Sequence, residues 1–100
     1  MEKTSTFSEV KKQHFKTLQQ FVPIVARVHG GTHPEFLKVH DTFISLEKKI
    51  QKAGSLLPDL EEEFRSLRSI TSDYTIPDDV CESYEAVYVM LSELDRAYRS

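Results

Sequence analysis

Four histidines, His14, His29, His33 and His40, and a single cysteine, Cys81, are the side chains of this 100-residue chain with the widest chemical range. All four imidazoles fall within the first 40 positions. Imidazole binds transition metals and moves protons near neutral pH, so the first chemistry to weigh is a metal site completed by carboxylates. The spacing does not supply a helical one: HExxH and ExxH are absent, and no His has a Glu four residues on. His29 and His33 bracket the Gly30-Gly31 turn and could chelate a metal loosely. Turn histidines bonded to backbone or water are the commoner outcome of that pattern. His14 and His40 lie on or beside apolar helical stripes, where a hydrogen-bonded, half-buried imidazole is expected.

Cys81 follows Pro77 by a few residues, near a predicted helix start that would favour a thiolate. Asp78, Asp79 and Glu82 surround it and oppose that charge, so the expectation is a packed core cysteine. One cysteine makes no intrachain disulfide, and no CxxC or CxxH pair exists to hold zinc. Of the four tyrosines, Tyr74 and Tyr84 fit core stripes, which leaves Tyr88 and Tyr98 as candidate contact residues. The run Glu61-Glu62-Glu63 is not a carboxylate pair, because adjacent helical residues point to different sides. No catalytic residue is assigned, and the reading leans away from an enzyme.

The elements that must position these groups are helices. With 39% hydrophobic and 29% charged residues, three Gly and four Pro, residues 1–100 read as one mostly helical domain. Thr6-Phe7-Ser8-Glu9 is a capping box, and apolar residues from Phe7 to Val28 recur at helical spacing, predicting a first helix over 7–28 that meets Pro23 as a kink or break. Thr32-His33-Pro34-Glu35 repeats the cap, and Phe36, Val39, Phe43, Leu46, Ile50 and Ala53 carry a second helix over 33–53, closed by Gly54. An acidic first turn after Pro58, with Leu60, Phe64, Leu67, Thr71 and Tyr74, predicts a third over 58–73. Thr75-Ile76-Pro77-Asp78 opens a fourth over 77–99, its stripe running from Val80 and Cys81 through Tyr84, Val87, Tyr88, Leu91 and Leu94 to Tyr98. Four helices joined by short turns predict an all-α, up-down-up-down antiparallel four-helix bundle.

Charge divides along the chain, with nine Lys/Arg against five Asp/Glu in residues 1–54 and four against eleven in residues 55–100. The lysines lie among apolar helical positions without interleaved aromatics, which argues against nucleic acid; basic helices packing beside acidic ones is the simpler account. No apolar run approaches the ~20 residues that span a bilayer, and the opening lacks an apolar signal region. No membrane is expected, and the setting reads as cytoplasmic and reducing.

Two stretches, VARVHGGTHPEF at 25–36 and TSDYTIPDDVCESYEAVYVMLSEL at 71–94, resemble the iron–sulfur cluster repair family, whose members carry a hemerythrin-like di-iron four-helix bundle. The resemblance implies the helix order derived above. It also implies iron ligands at the starts of helices 1 and 3 and the ends of helices 2 and 4, which share one end of the bundle. None is present here: the helix 1 position falls near Phe7 and Ser8, helix 2 stops at Lys52-Ala53-Gly54, helix 3 opens without His, and the last HxxxE would fall where the chain ends. The expectation is therefore a metal-free, degenerate hemerythrin-like bundle without a cofactor, acting as a small protein-interaction or regulatory module. Its partner would be another protein or a second copy, met through Leu57, Tyr88 and Tyr98. The alternative is an iron-binding protein of the repair type, with a site rearranged around His29, His33 and His40 or completed by a partner. The apolar residues at the former ligand end, Phe7, Leu56, Leu57, Leu94 and Tyr98, must either collapse inward or be covered.

Overall fold

A computed structural model describes residues 6–54 and 56–99. Four helices follow in order, α1 (Phe7–His29), α2 (Glu35–Ala53), α3 (Glu61–Ile70) and α4 (Glu82–Arg99), and no strand occurs among the described residues. Cross-helix contacts give the direction of each pair. Between α1 and α4, Phe7 packs on Tyr98, His14 bonds to Glu93 and His29 meets Tyr84, so the residue numbers run in opposite senses. His29 faces His33 while Gln19 reaches Glu47, which makes α2 antiparallel to α1. Ser45 bonds to Glu63 and Lys49 to Asp59, and Phe64 meets Tyr98 while Arg68 meets Asp95, so α3 opposes both α2 and α4. This is the antiparallel four-helix bundle that the apolar stripes predict. None of the helices formed by the described residues is long and apolar enough to cross a membrane.

The Thr6 capping box forms as expected, the Thr6 hydroxyl accepting from the Glu9 N–H while the Glu9 carboxylate accepts from the Thr6 N–H. Helix α1 then runs without interruption through Pro23, whose exposed ring sits on the outer face, where losing one backbone bond is tolerated. The second capping box does not form. Pro34 takes the N-cap position, Thr32 donates instead to the His29 carbonyl, and the Glu35 carboxylate is drawn to the His33 ring, so α2 begins two residues later than predicted.

The two remaining boundaries need larger corrections. Helix α3 covers ten residues rather than the predicted 58–73. Before it, the Leu60 N–H donates to the Tyr98 hydroxyl at 2.9 Å and Asp59 accepts from the Glu61 N–H, so residues 57–60 are fixed outside the helix. After it, Ser72, Asp73 and Tyr74 all hold positive φ, at 52°, 61° and 64°, a left-handed run that L-residues adopt at a cost of about 1–2 kcal/mol each. The Thr71 hydroxyl, accepting from the Tyr74 N–H and donating to the Leu67 carbonyl, holds this turn. Helix α4 begins at Glu82 instead of 77, because Thr75 bonds back to the Ser72 carbonyl rather than capping, and the Cys81 carbonyl takes the first helical N–H, from Glu85.

Candidate functional site

The end of the bundle where the resemblance places metal ligands is built from the start of α1, the end of α2, the start of α3 and the end of α4. It is filled by carbon. Phe7 lies edge-on to Phe64, with ring centroids 6.5 Å apart, and to Tyr98 at 5.7 Å, while Phe64 and Tyr98 meet at 5.3 Å. Val10, Ile50, Leu60 and Leu94 are buried in the same core. The Tyr98 hydroxyl is spent on the Leu60 N–H. Three mutually packed aromatic rings offer no imidazole or carboxylate to iron, so these residues do not fit a di-iron centre. Phe7 and Leu94 have collapsed inward, as one of the two expected outcomes requires, and Tyr98 is half-buried against them, but Leu56 and Leu57 stand 75% and 68% exposed.

The opposite end gathers the polar groups. The His33 ring lies between two carboxylates, Nδ1 at 3.1 Å from Glu35 and Nε2 at 3.0 Å from Asp79, an arrangement in which an imidazole donates to both only when both nitrogens carry protons. The Tyr84 hydroxyl donates to the same Glu35 at 3.3 Å, and since a phenol has one proton, Tyr88 at 3.1 Å must donate to Tyr84. Burial first, and then the hydrogen bond to Tyr88 and the charge of Glu35, push the Tyr84 phenol well above its ordinary range, and burial raises Tyr88 as well, so both remain neutral donors. His29 Nε2 lies 3.1 Å from Cys81 Sγ. These bonds tie the α1–α2 turn to the α3–α4 connection, and the rings of His29 and His33 both pack edge-on against Tyr84 at 5.4 Å.

His29 and His33 are thus neighbours, 6.4 Å between ring centroids, as their bracketing of the turn predicts. His40 does not join them: among the described residues no hydrogen bond or ion pair links it to either. Nor, among those residues, does any group of three or more His, Cys, Asp and Glu converge as metal ligands. Cys81 is exposed rather than packed in the core, because α4 starts just after it and leaves it at the surface beside His29. Tyr88, read from sequence as a contact residue, is buried between Tyr84 and Phe36 and presents nothing to a partner. Tyr98 is half-buried, and Leu57 is open to solvent.

The sequence reading missed the strongest polar cluster. Asp95 is fully buried on α4, and one Arg68 nitrogen, Nη1, spans both its oxygens at 2.7 and 2.9 Å. Arg99 Nε approaches Oδ1 at 3.2 Å and the Tyr74 hydroxyl donates to Oδ2 at 2.8 Å. Burial and the adjacent Asp95 charge hold the Tyr74 phenol far above its ordinary range, so it stays a donor. The left-handed run at 72–74 precedes this contact and brings Tyr74 back onto α4. The signal was in the register: Asp95 falls four residues after Leu91 and eleven after Tyr84, on the stripe that faces the core. Over this cluster, between α3 and α4, opens a groove of about 500 Å³ lined by Leu57, Glu61, Phe64, Arg68, Tyr98 and Arg99.

No protein-family model matches the chain, and no solved structure matches it. Curated relatives do. The chain is 24% identical, over 92% of its length, to the iron-sulfur cluster repair protein ScdA of Staphylococcus epidermidis, and 22% identical over the same share to that of Staphylococcus haemolyticus. It spans about half the length of these relatives, 55%, and because the matched region takes in 123 residues, the relatives carry residues there that this chain lacks. By sequence, then, this antiparallel bundle is similar to the bacterial iron–sulfur cluster repair proteins.

Proposed function

We propose that this chain is a metal-independent relative of the repair-protein bundle that acts by binding another protein, as an interaction or regulatory module, and not by iron chemistry of its own. The observation that carries this reading is the Phe7–Phe64–Tyr98 packing at the end where the resemblance expects ligands. A metal site stabilises a fold through its ligand bonds, so a chain without those ligands must close that end some other way. Here aromatic packing closes it, with a backbone N–H to tyrosine hydroxyl bond at its edge. At this end the large apolar side chains left in reach of a partner are Leu56 and Leu57, and Leu57 lines a groove with charged walls. An apolar centre with a polar rim is the make-up of a protein-binding patch.

Elemental analysis of protein produced in iron-supplemented medium, and again after anaerobic incubation with ferrous iron, tests the proposal. The expected result is iron well below one atom per chain. Near-stoichiometric iron that is lost when His29 and His33 are both changed to Ala would replace this reading with the rearranged-site alternative.

A further inference from the structure

We propose that the α3–α4 groove takes a segment of a partner protein in which an apolar side chain stands next to a single carboxylate, the carboxylate meeting Arg99 and Arg68 and the apolar group meeting Leu57, Phe64 and Tyr98. The proposal rests on the interaction-module reading and gives the chemistry of the partner. Its basis is a surplus of positive charge. Arg68 Nη1 and Arg99 Nε lie on the same oxygen of Asp95, at 2.7 and 3.2 Å, and among the described residues no other carboxylate ion-pairs with either. One buried carboxylate thus answers two guanidinium groups, and both of these line the groove. Arg99, its side chain 57% exposed, touches Asp95 through Nε. No hydrogen bond to a described residue occupies its two Nη groups, and a guanidinium fork grips a carboxylate side by side. The apolar part of the groove is just as firmly set, since Phe64 is buried, Pro58 and Leu60 beyond the exposed Leu57 are buried, and the Leu60 N–H is bonded to Tyr98.

Charge and shape choose the occupant. Glu61 lines the groove as well, and it meets Arg65 on its own helix only at 3.8 Å, so a run of several acidic groups would be repelled where one carboxylate is not. A small free anion is the poorer fit. Small-molecule sites enclose most of their ligand, whereas here Leu57, Glu61 and Arg99 all stand more than half exposed. A segment carried by a larger body brings its own cover, and arginine and tyrosine beside an apolar centre are the residue types that hold such segments at protein interfaces.

An NMR titration of the isotope-labelled full chain with short blocked peptides tests this. A peptide carrying leucine next to glutamate in a glycine/serine frame should, at millimolar concentration, shift the Arg99 Nε–H signal and the amides of Leu57 and Glu61. The same peptide with lysine in place of the glutamate, or serine in place of the leucine, should not. Arg99→Gln should weaken binding by about tenfold, through the lost charge-assisted hydrogen bonds. Glu61→Gln should strengthen it by about two- to fivefold, because it removes the repelling charge. Glu61 is exposed and makes no buried contact, so this second variant reads the charge even if Arg99→Gln fails to fold. A parent chain that shows no shift, equal shifts with the lysine peptide, acetate that matches the glutamate peptide, or binding indifferent to both Arg99 and Glu61 would overturn the proposal. Iron is measured without peptide, so lost peptide binding in an iron-free chain removes this site alone, and near-stoichiometric iron removes the reading on which it rests.

Discussion

Replacing Asp95 by Ala removes a fully buried carboxylate from beneath two guanidinium groups and a phenol. Breaking a buried ion pair by deleting one partner costs about 3–5 kcal/mol when the survivor is left dry. Arg68 is 27% exposed, so water recovers part of its charge, and Arg99, more exposed still, recovers most of its own. The Tyr74 hydroxyl loses one acceptor, a loss of about 1 kcal/mol. Together these place the loss near 3 kcal/mol, which for a domain of this size lowers the melting temperature by about 12–24 °C. Asp95→Asn, which keeps the acceptor but not the charge, should lose roughly half as much. Urea unfolding followed by far-UV CD measures both. A double-mutant cycle with Arg68→Ala should give a coupling of about 1.5 kcal/mol or more between the two residues. A loss under about 1 kcal/mol for Asp95→Ala, or no coupling, would refute the claim that this cluster fastens the short helix α3 to α4.

Two adjacent glycines should respond in opposite ways. A Cβ on Gly30 would lie 2.4 Å from the Ala26 carbonyl and 2.7 Å from a Leu37 methyl, so Gly30→Ala should cost about 1–3 kcal/mol, whereas Gly31 faces open space and Gly31→Ala should be neutral or stabilise by up to about 1 kcal/mol. Urea midpoints of the two variants check the contrast. Burial pushes the Glu63 carboxyl up, but hydrogen bonds from Lys49 and Ser45 outweigh it and hold the group below its ordinary value of 4.5. A depressed carboxyl stabilises the fold above its unfolded-state value and loses that contribution as pH falls through the folded one, so the parent should lose more stability than Glu63→Gln between pH 5 and pH 3.

What was legible in the sequence was periodicity. The stripes of α1 and α2 predicted most of the buried residues because each helix packs by one face, although Val28, at the end of the α1 stripe, is 65% exposed and Phe21 only half-buried; the Thr6 box was readable because both its members act locally. The ends of α3 and α4 were not, since they are set by contacts distant in sequence: Tyr98 takes the Leu60 N–H across 38 positions, and Thr71 with Asp95 holds Tyr74 in a left-handed turn that no propensity favours. The same misplacement of the α4 start put Cys81 in the core when it belongs at the surface. Proline after threonine at 75–77 looked like a helix opening, but the hydroxyl bonded backwards. At the end where the resemblance implies ligands, sequence left two outcomes for the apolar residues, and packing divided them, Phe7 and Leu94 inside, Tyr98 half-buried against them and the two leucines outside.

If, as we propose, this bundle stands without iron, thermal unfolding in the presence of ferrous iron shows it. A ligand that binds only the folded state at a hundred times its Kd adds about 2.7 kcal/mol, or about 11–22 °C for a domain of this size. Packed as it is around Phe7, Phe64 and Tyr98, the protein should melt at the same temperature with and without excess ferrous iron under anaerobic conditions. A rise that saturates near one or two equivalents and vanishes in the His29→Ala, His33→Ala double variant would contradict the account.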